Sequence, residues 1–587
     1  MIGEAGSRFA SRARAGACAL ALLALAACSS SAPKTLATGG DPPAQVVTAP
    51  AAPSPLGSYL AARHAQEVHD YAAAAQMMEQ AVKDDPSNFD LVRRSFVLRV
   101  SDGKIADAVP LARRIVDLDG NSGLPALVLL VADIKAGDFE AAAARARSIN
   151  AEGPQRFALP LLAAWIEAAR QHPGAARQAL QRMATLRGLE PLRDLHQGLI
   201  ADLGDRTDEA QEAYDKLLGG EARPTWRVVE VVGNFYERHS RGEAARQLYE
   251  RFASDDAETD AATAGLARIA AGTIPPRVIA SPAQGAAEAL FDLASLLNQR
   301  ETIDAALIYA RLALELQPDF PLAGLLAAEI REQQGRTEDA IALYRGIDPH
   351  SPLAWSARLR VALSLDAIDK TDEATAMLRG MAQERPARAE PLIELGDILR
   401  SHNKFDEAAH AYDAAIARLK IDKSAWRVFY DRGVALERSS QWPRAEADLK
   451  RALELDPEQP MALNYLGYSW IDRGENLSEG LKLIQRAVEL RPNDGYIVDS
   501  LGWAFYRLGD FSRASQFLER AIELLPEDPT INDHLGDAYW RTGRLAEARF
   551  QWRRALQFGP EAGEVKNIES KLDRGLAQPP QALSSGG

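Results

Sequence analysis

Cysteine is almost absent from this chain of 587 residues, which has only two. So few cysteines exclude a disulfide framework, and stability must come from packing alone. Aromatic residues make up only 7% of the chain, and alanine and leucine far outnumber the β-branched and aromatic residues that strands favour. The composition therefore argues against a sheet protein and predicts an all-helical one.

The motifs that carry catalysis or bind metals and nucleotides are also missing. The nine histidines are scattered singly, and neither the pair His64 and His69 nor the pair His402 and His410 has metal-ligand spacing on a helix. There is no phosphate-binding glycine loop, no Gly-x-Ser-x-Gly elbow and no dinucleotide fingerprint. We therefore expect a non-enzymatic protein with no catalytic residues, no metal and no cofactor.

Basic residues are in the minority, since 68 Lys and Arg face 82 Asp and Glu, for a formal net charge of −14. Nucleic acids and anionic lipid surfaces attract basic faces, so neither is expected as an electrostatic partner. The chain is also too long for one core, because single cores stop growing at roughly 250–300 residues. Several domains or a repeat array must be present.

An apolar run from Ala15 to Ala27 follows three arginines near the N-terminus. The run is too short to span a bilayer and predicts a removable export signal over residues 1–27. It ends in Leu25-Ala26-Ala27-Cys28, which resembles the lipobox of bacterial lipoproteins, where the cysteine is acylated, as with palmitate, and becomes the first mature residue. An ordinary signal with an incidental thiol at Cys28 is the alternative.

The resemblance to lipoproteins also implies a location. In such proteins Asp after the cysteine favours the inner membrane, whereas this chain has Ser29, which implies the outer membrane with the protein facing the periplasm. Residues 28–57 are rich in Ser, Ala, Pro, Gly and Thr and predict a disordered tether. The lipid would then be the contact with the membrane.

A repeat of 34 residues is clearest near the C-terminus, where Leu501-Gly502 is followed by Leu535-Gly536. The step recurs from Ala514 to Ala548 and through the prolines at 492, 526 and 560. Small residues are expected where two helices cross closely, and proline ends a helix. The period predicts a helix–turn–helix repeat.

Fainter copies extend the repeat towards the N-terminus and predict about twelve repeats. The predicted order is an N-terminal array of about six helix pairs over 58–253, an irregular seam over 254–285, a C-terminal array over 286–560, a capping helix over 561–576 and a disordered tail over 577–587. The seam is rich in proline. It can be a hinge between two arrays or a decorated loop within one superhelix.

These residues resemble the tetratricopeptide repeat superfamily, most specifically over 463–560, which implies an all-α solenoid wound as a right-handed superhelix. More narrowly, the lipobox, the tether and the run Leu463-Asn-Tyr-Leu-Gly-Tyr468 are similar to a group of proteobacterial repeat lipoproteins. One member is the lipoprotein partner of a periplasmic C-terminal processing protease. That resemblance implies an adaptor that delivers peptidoglycan hydrolases to such a protease.

In such solenoids the first helix of each pair lines a concave groove, and aromatic residues and arginine dominate protein-binding hot spots. The residues expected to point inward or towards the groove and to bind a partner are Tyr468, Tyr496, Asp499, Trp503, Tyr506, Arg507, Asp533, Asp537, Trp540 and Arg541; the alternative for the rings is that half of them pack against neighbouring helices. We expect the two arrays to hold different protein partners. The alternatives are a structural scaffold of an envelope export or polysaccharide-secretion assembly and an enzyme with an undetected site.

Overall fold

Every regular element described in the computed structural model is a helix. The described residues are 54–120, 123–150, 153–186, 188–220, 224–253 and 259–577. The all-α prediction is confirmed. The predicted export signal, Cys28, the tether up to residue 53 and the tail from residue 578 lie outside the described residues.

The helices of the N-terminal array form six pairs, in which each helix packs against the next one along the chain. The pairs are α1 (Pro55–Glu67) with α2 (Tyr71–Asp84), α3 (Phe89–Ser101) with α4 (Ile105–Asp119), α5 (Gly123–Lys135) with α6 (Phe139–Ser148), α7 (Gln155–Ala169) with α8 (Pro173–Gln181), α9 (Glu190–Leu203) with α10 (Thr207–Leu218), and α11 (Trp226–Arg238) with α12 (Gly242–Ala253). A single helix, α13 (Thr259–Ala271), follows in the seam.

The C-terminal array forms eight further pairs. They are α14 (Pro282–Leu297) with α15 (Ile303–Leu316), α16 (Pro321–Gln333) with α17 (Thr337–Arg345), α18 (Ala354–Ala367) with α19 (Thr371–Glu384), α20 (Glu390–Ser401) with α21 (Phe405–Ile416), α22 (Trp426–Arg438) with α23 (Trp442–Leu455), α24 (Pro460–Arg473) with α25 (Leu477–Leu490), α26 (Gly495–Arg507) with α27 (Phe511–Leu524), and α28 (Pro529–Arg541) with α29 (Leu545–Gln557). The last helix is α30 (Ala562–Arg574), at the place of the predicted cap. The described chain thus has fourteen pairs, where the sequence predicts about twelve.

A residue in the left-handed region ends the first helix of most pairs. Through the N-terminal array these residues follow one another every 34 residues: His69, Gly103, Gly137, Gln171 and Asp205. The residue after them often caps the second helix, as where Asp138 Oδ1 accepts from the amide of Ala141 at 2.9 Å. The period that is faint in the apolar residues of this half is therefore regular in its turns.

The two helices of a pair cross at a small residue, as the sequence predicts. A Cβ added at Gly502 would stand 2.6 Å from Leu518 Cγ, and one at Gly536 would stand 2.5 Å from Trp552 Cδ1. Both distances are shorter than van der Waals contact. Glycine is therefore required there by the close approach of the helices.

The inner face of the N-terminal array, formed by the first helices of its pairs, is covered by the chain itself. The hairpin of α14 and α15 packs against α3, α5, α7 and α9. One continuous apolar core consequently runs from Ala62 to Ile330, across the seam. The expectation that the N-terminal array offers its groove to a separate partner is wrong, because α14 and α15 fill it.

Buried polar contacts fix this hairpin. Trp165 Nε1 donates to His196 Nδ1 at 2.9 Å. The imidazole of His196 therefore carries its proton on Nε2, and this N–H donates to Asp292 Oδ2 of α14 at 3.0 Å. Arg227 Nε donates to Glu288 Oε1 at 2.8 Å, and the Glu288 side chain is fully buried. Breaking such a pair leaves a buried charge, so the hairpin is held as part of the core.

The proline-rich part of the seam is also held in place. Asn234 Nδ2 donates to the carbonyl oxygen of Pro276 at 2.8 Å, and Arg277 pairs with Asp205. Ile279 is 4% exposed. These contacts favour a decorated loop over a hinge, and residues from Pro55 onward form one compact unit.

Candidate protein-binding groove

Among the described residues, no further element packs on the inner face from α18 to α26, and we call this stretch the open groove. Towards the N-terminus it is bounded by the hairpin of α14 and α15 with α16, and towards the C-terminus by α28 and α30. Neighbouring first helices are joined across it by ion pairs, such as Arg427 of α22 with Asp397 of α20 at 3.2 Å. The predicted groove residues are distributed unevenly along this face.

Tyr468, Tyr496 and Arg507 lie on the open groove. The ring of Tyr496 is 61% exposed. Tyr468 is half-buried, and burial, followed by the charges of Asp472 and Asp499, raises the pKa of its hydroxyl. Arg507 pairs with Asp472 of the preceding first helix and also donates to its carbonyl oxygen at 2.8 Å.

Trp503 lies at the end of the open groove within a stack of rings. Its ring is parallel to that of Tyr506, with centroids 4.7 Å apart, and to that of His534, with centroids 4.0 Å apart. Its Nε1 atom is buried and has no hydrogen-bond partner among the described residues. Trp503 therefore contributes to packing between α26 and α28 as well as to the surface of the groove.

Asp499 is engaged in an ion pair and is only 7% exposed. Nδ1 of His534 donates to its Oδ1 at 3.0 Å. Burial disfavours the charged imidazole, but the carboxylates of Asp499, Asp533 and Asp537 outweigh it and raise the pKa of His534. The pair joins α26 to α28 and leaves little of the Asp499 carboxylate for a partner.

Asp533 and Asp537, which are predicted to point towards the groove, are buried and paired with the cap helix α30, which leaves little of their carboxylates for a partner. Lys571 Nζ donates to Asp533 Oδ2 at 2.7 Å and to Asp537 Oδ2 at 2.9 Å. Trp552 Nε1 donates to the other oxygen of Asp537 at 2.9 Å. Burial raises the pKa of Asp537 to about 6 in spite of Lys571.

Trp540, also predicted to point towards the groove, is partly buried beneath the described residues that follow α30. The ring of Trp540 packs on that of Trp552, with centroids 5.4 Å apart. Gly575 lies so close to Cζ2 and Cη2 of the Trp540 ring that a Cβ atom would not fit at residue 575. Arg541 donates to the carbonyl oxygen of Ala577 at 2.6 Å and to the hydroxyl of Tyr506 at 3.3 Å. Trp540 and Arg541 thus fix the segment that follows α30.

The charged part of the open groove lies on α20 and α22 and is not among the residues predicted from the sequence. Asp431 is 5% exposed and lies 3.4 Å from Arg400 and 3.5 Å from Arg427. Burial, and then the carboxylate of Asp397, raise the pKa of Glu394 to about 7. Glu394 occupies the repeat position of Asp431, and that alignment is the sequence feature that could have identified the cluster.

Aromatic residues continue the groove beyond these charges. The rings of Tyr430 and Tyr465 meet edge to face with centroids 5.9 Å apart, and Tyr465 donates to Glu437 Oε2 at 3.0 Å. The open groove therefore presents a charged half and an aromatic half.

A family model described as tetratricopeptide repeat matches residues 59–123, 393–440, 430–495 and 500–563. Those residues hold α1 to α4 and α20 to α29. These segments match tetratricopeptide repeats, and the described fold as a whole is an array of paired helices. No described helix is long and apolar enough to cross a membrane.

Two curated proteins are similar to part of the chain. The TPR repeat-containing protein PA4667 of Pseudomonas aeruginosa is 30% identical over 188 residues, which are 32% of this chain and 31% of that protein. The human protein O-mannosyl-transferase TMTC1 is 25% identical over 168 residues, which are 28% of this chain and 19% of that protein. The chain spans less than a third of the length of either relative.

Solved structures with similar helical arrays include the APC/C hetero-tetramer Cut9-Hcn1, with a TM-score of 0.38, 13% identity and coverage of 89% of this chain and 96% of that one. A tetratricopeptide repeat protein from Parabacteroides merdae has a TM-score of 0.36 and 14% identity, with coverage of 42% and 95%.

Proposed function

We propose that this chain is a non-catalytic, lipid-anchored adaptor of the bacterial envelope, which binds a protein partner in the open groove. The observation that carries the proposal is the open groove from α18 to α26, on which no other described element packs, with the exposed ring of Tyr496. Tetratricopeptide arrays typically serve as protein-binding scaffolds without catalysis of their own. Among the described residues no group of His, Cys, Asp and Glu is arranged to hold a metal ion.

The finer proposal is that the partner is a periplasmic C-terminal processing protease and that the adaptor delivers peptidoglycan hydrolases to it. It is supported by the sequence resemblance to the protease-partner lipoproteins. An acylated Cys28 would hold the protein to the outer membrane on its periplasmic side. Colocalisation raises the effective concentration of tethered partners, up to roughly the mM range for short linkers.

Affinity purification from the native envelope tests the groove. Tyr496→Ala with Tyr468→Ala should abolish capture of the protease and the hydrolases, because both rings lie on the open groove. Phe550→Ala is the matched control, because Phe550 is an aromatic residue, 53% exposed, on the second helix α29. Recovery of secretion or assembly components alone would contradict the adaptor and favour a structural scaffold. Equal loss of capture in the Phe550→Ala control would contradict binding in the open groove.

The lipid anchor is tested separately by a Cys28→Ala chain. We expect wild-type protein to incorporate labelled palmitate and to sediment with outer membranes. The Cys28→Ala chain should do neither while still binding its partners in solution. Labelling that persists in that variant would contradict the acylation site.

A further inference from the structure

A cavity of about 340 Å³ lies where the seam joins the two arrays. Five segments form its walls: α11, α13, the proline-rich part of the seam, the start of α16 and the link before α18. None of its lining residues belongs to the open groove. Its volume suits a small organic molecule or the last residues of a peptide.

Three arginines line this cavity against a single carboxylate, that of Glu230. Arg268 donates through Nε and Nη2 to Glu237, at 3.1 and 2.8 Å, and the Glu237 side chain is 2% exposed. A guanidinium has five N–H donors, and the Nη1 group of Arg268 takes no part in these two bonds. Arg277 is similarly placed, with its side chain 30% exposed and its carboxylate partners on α9 and the turn after it.

The opposite wall is apolar. Trp226 and Phe320 contribute rings, and Pro276, Pro321 and Leu322 fill the spaces between them. The guanidinium of Arg227 lies 5.3 Å from the centre of the Phe320 ring, which keeps the charged and apolar walls side by side. A ligand that fits must therefore join an anionic group to a compact apolar one.

We propose that this cavity binds a carboxylate attached to a short apolar group, either the C-terminal end of a peptide or a small organic acid. The guanidiniums are held in place by carboxylates behind the wall, so little entropy is lost when they bind an anion. Glu230 beside Arg227 disfavours a dianion, so a monoanionic carboxylate fits better than a phosphate monoester. This site is independent of the partner in the open groove.

Isothermal titration of the full mature chain tests the proposal with 3-phenylpropionate and its neutral amide. The peptide acetyl-Ala-Leu-Phe, as free acid and as C-terminal amide, provides the second arm. Arg277→Gln removes a guanidinium whose main partner, Asp205, is 79% exposed, and Leu322→Trp fills the cavity. Arg177→Gln is the matched control, because Arg177 is 51% exposed and lies outside the cavity. Circular dichroism confirms that each variant is folded.

We expect at least one acid to bind about tenfold more tightly than its amide, with the preference reduced by salt. Arg277→Gln and Leu322→Trp should each weaken the acid about tenfold, and Arg177→Gln should not. A tighter peptide acid identifies a chain end as the ligand, and a tighter phenylpropionate identifies a small acid. Equal affinities for acid and amide, absence of binding, or insensitivity to both cavity variants would overturn the proposal.

Discussion

Individual buried charges at the C-terminal end hold the cap in place. Lys571 is 10% exposed and is the shared cation of two carboxylates. Lys571→Met would leave Asp533 and Asp537 buried without a cation, and removal of one partner of a buried ion pair typically costs about 3 kcal/mol or more. We expect the free energy of unfolding to fall by about that amount, measured by urea denaturation.

Lys566→Met is the control for this prediction. Lys566 is on the same helix but exposed, so its loss should change stability by about 0.5 kcal/mol or less. Hydrogen exchange should locate the effect of Lys571→Met in α28 to α30. Equal effects of the two variants would contradict a structural role for the buried pair.

His534 and Asp537 make the stability of this end depend on pH. The folded pKa of His534 lies above its ordinary value of 6.5, so its contribution is complete below that pH and is lost as pH rises through the folded pKa. Burial also raises the pKa of Asp537 to about 6, so the contribution of Asp537 to the stability of the folded protein is likewise lost as the pH rises from about 4 to 6. We expect stability to decrease steadily from mildly acidic to mildly alkaline pH.

Urea unfolding at a series of pH values measures this dependence. His534→Gln should reduce the decrease above about pH 6.5 and leave the lower part, to which Asp537 and Glu394 contribute through their raised pKa values. His410→Gln changes an exposed histidine of α21 and should preserve the wild-type profile. A profile unchanged in His534→Gln would show that the His534–Asp499 pair does not govern it.

The contacts of individual residues are only partly predictable from the sequence. The repeat identifies which residues of a first helix face inward, and Tyr496 is indeed exposed on the inner side. It does not reveal that Lys571, on another helix, reaches Asp533 and Asp537 or that Gly575 covers Trp540. Those contacts depend on how far the cap extends along the array, which the period leaves undetermined.

Between elements, the spacing of paired helices depends on glycine at the crossing. Gly536→Ala would press a methyl group against Trp552 Cδ1, and overpacking of this kind costs roughly 1–3 kcal/mol. We expect a lower melting temperature, measured by circular dichroism. Gly380→Ala is the matched control, because Gly380 is also within a helix, α19, but has open space at its Cβ.

In Gly380→Ala the better helix propensity of alanine should stabilise the protein by up to about 1 kcal/mol. The two substitutions are chemically identical, so opposite signs would isolate the steric effect. A stabilising Gly536→Ala would contradict the close crossing of α28 and α29.

The residues of α5 indicate that another element covers the inner face of the N-terminal array. Residues 127–131 of α5 are all at most 4% exposed, so this helix is apolar on every side. A helix that is apolar all round is buried on all sides. An array of two-helix repeats leaves one face of each first helix open, so α5 predicts a further covering element. The sequence does not name that element, because α14 follows it by more than a hundred residues.

For the whole molecule, the hairpin of α14 and α15 joins two arrays into one body. A chain limited to residues 54–253 would expose the apolar inner face of α3 to α9 to water. We expect it to bind the dye ANS strongly, whereas a chain of residues 54–317 that retains the hairpin should bind little. Equal dye binding by the two chains would show that the N-terminal array is complete without the hairpin.

The covered groove also affects the order of folding. Tyr71 near the start of the array donates to Asp304 of α15 at 2.9 Å, a contact that spans 233 residues of chain. Closure of such a long loop is entropically costly, and folding slows as the sequence separation of native contacts grows. The first helices emerge early during synthesis but cannot bury their inner face until the hairpin is available. The apolar inner face of the N-terminal half therefore stays exposed until α14 and α15 have been synthesised. During that interval the chain must be protected from aggregation.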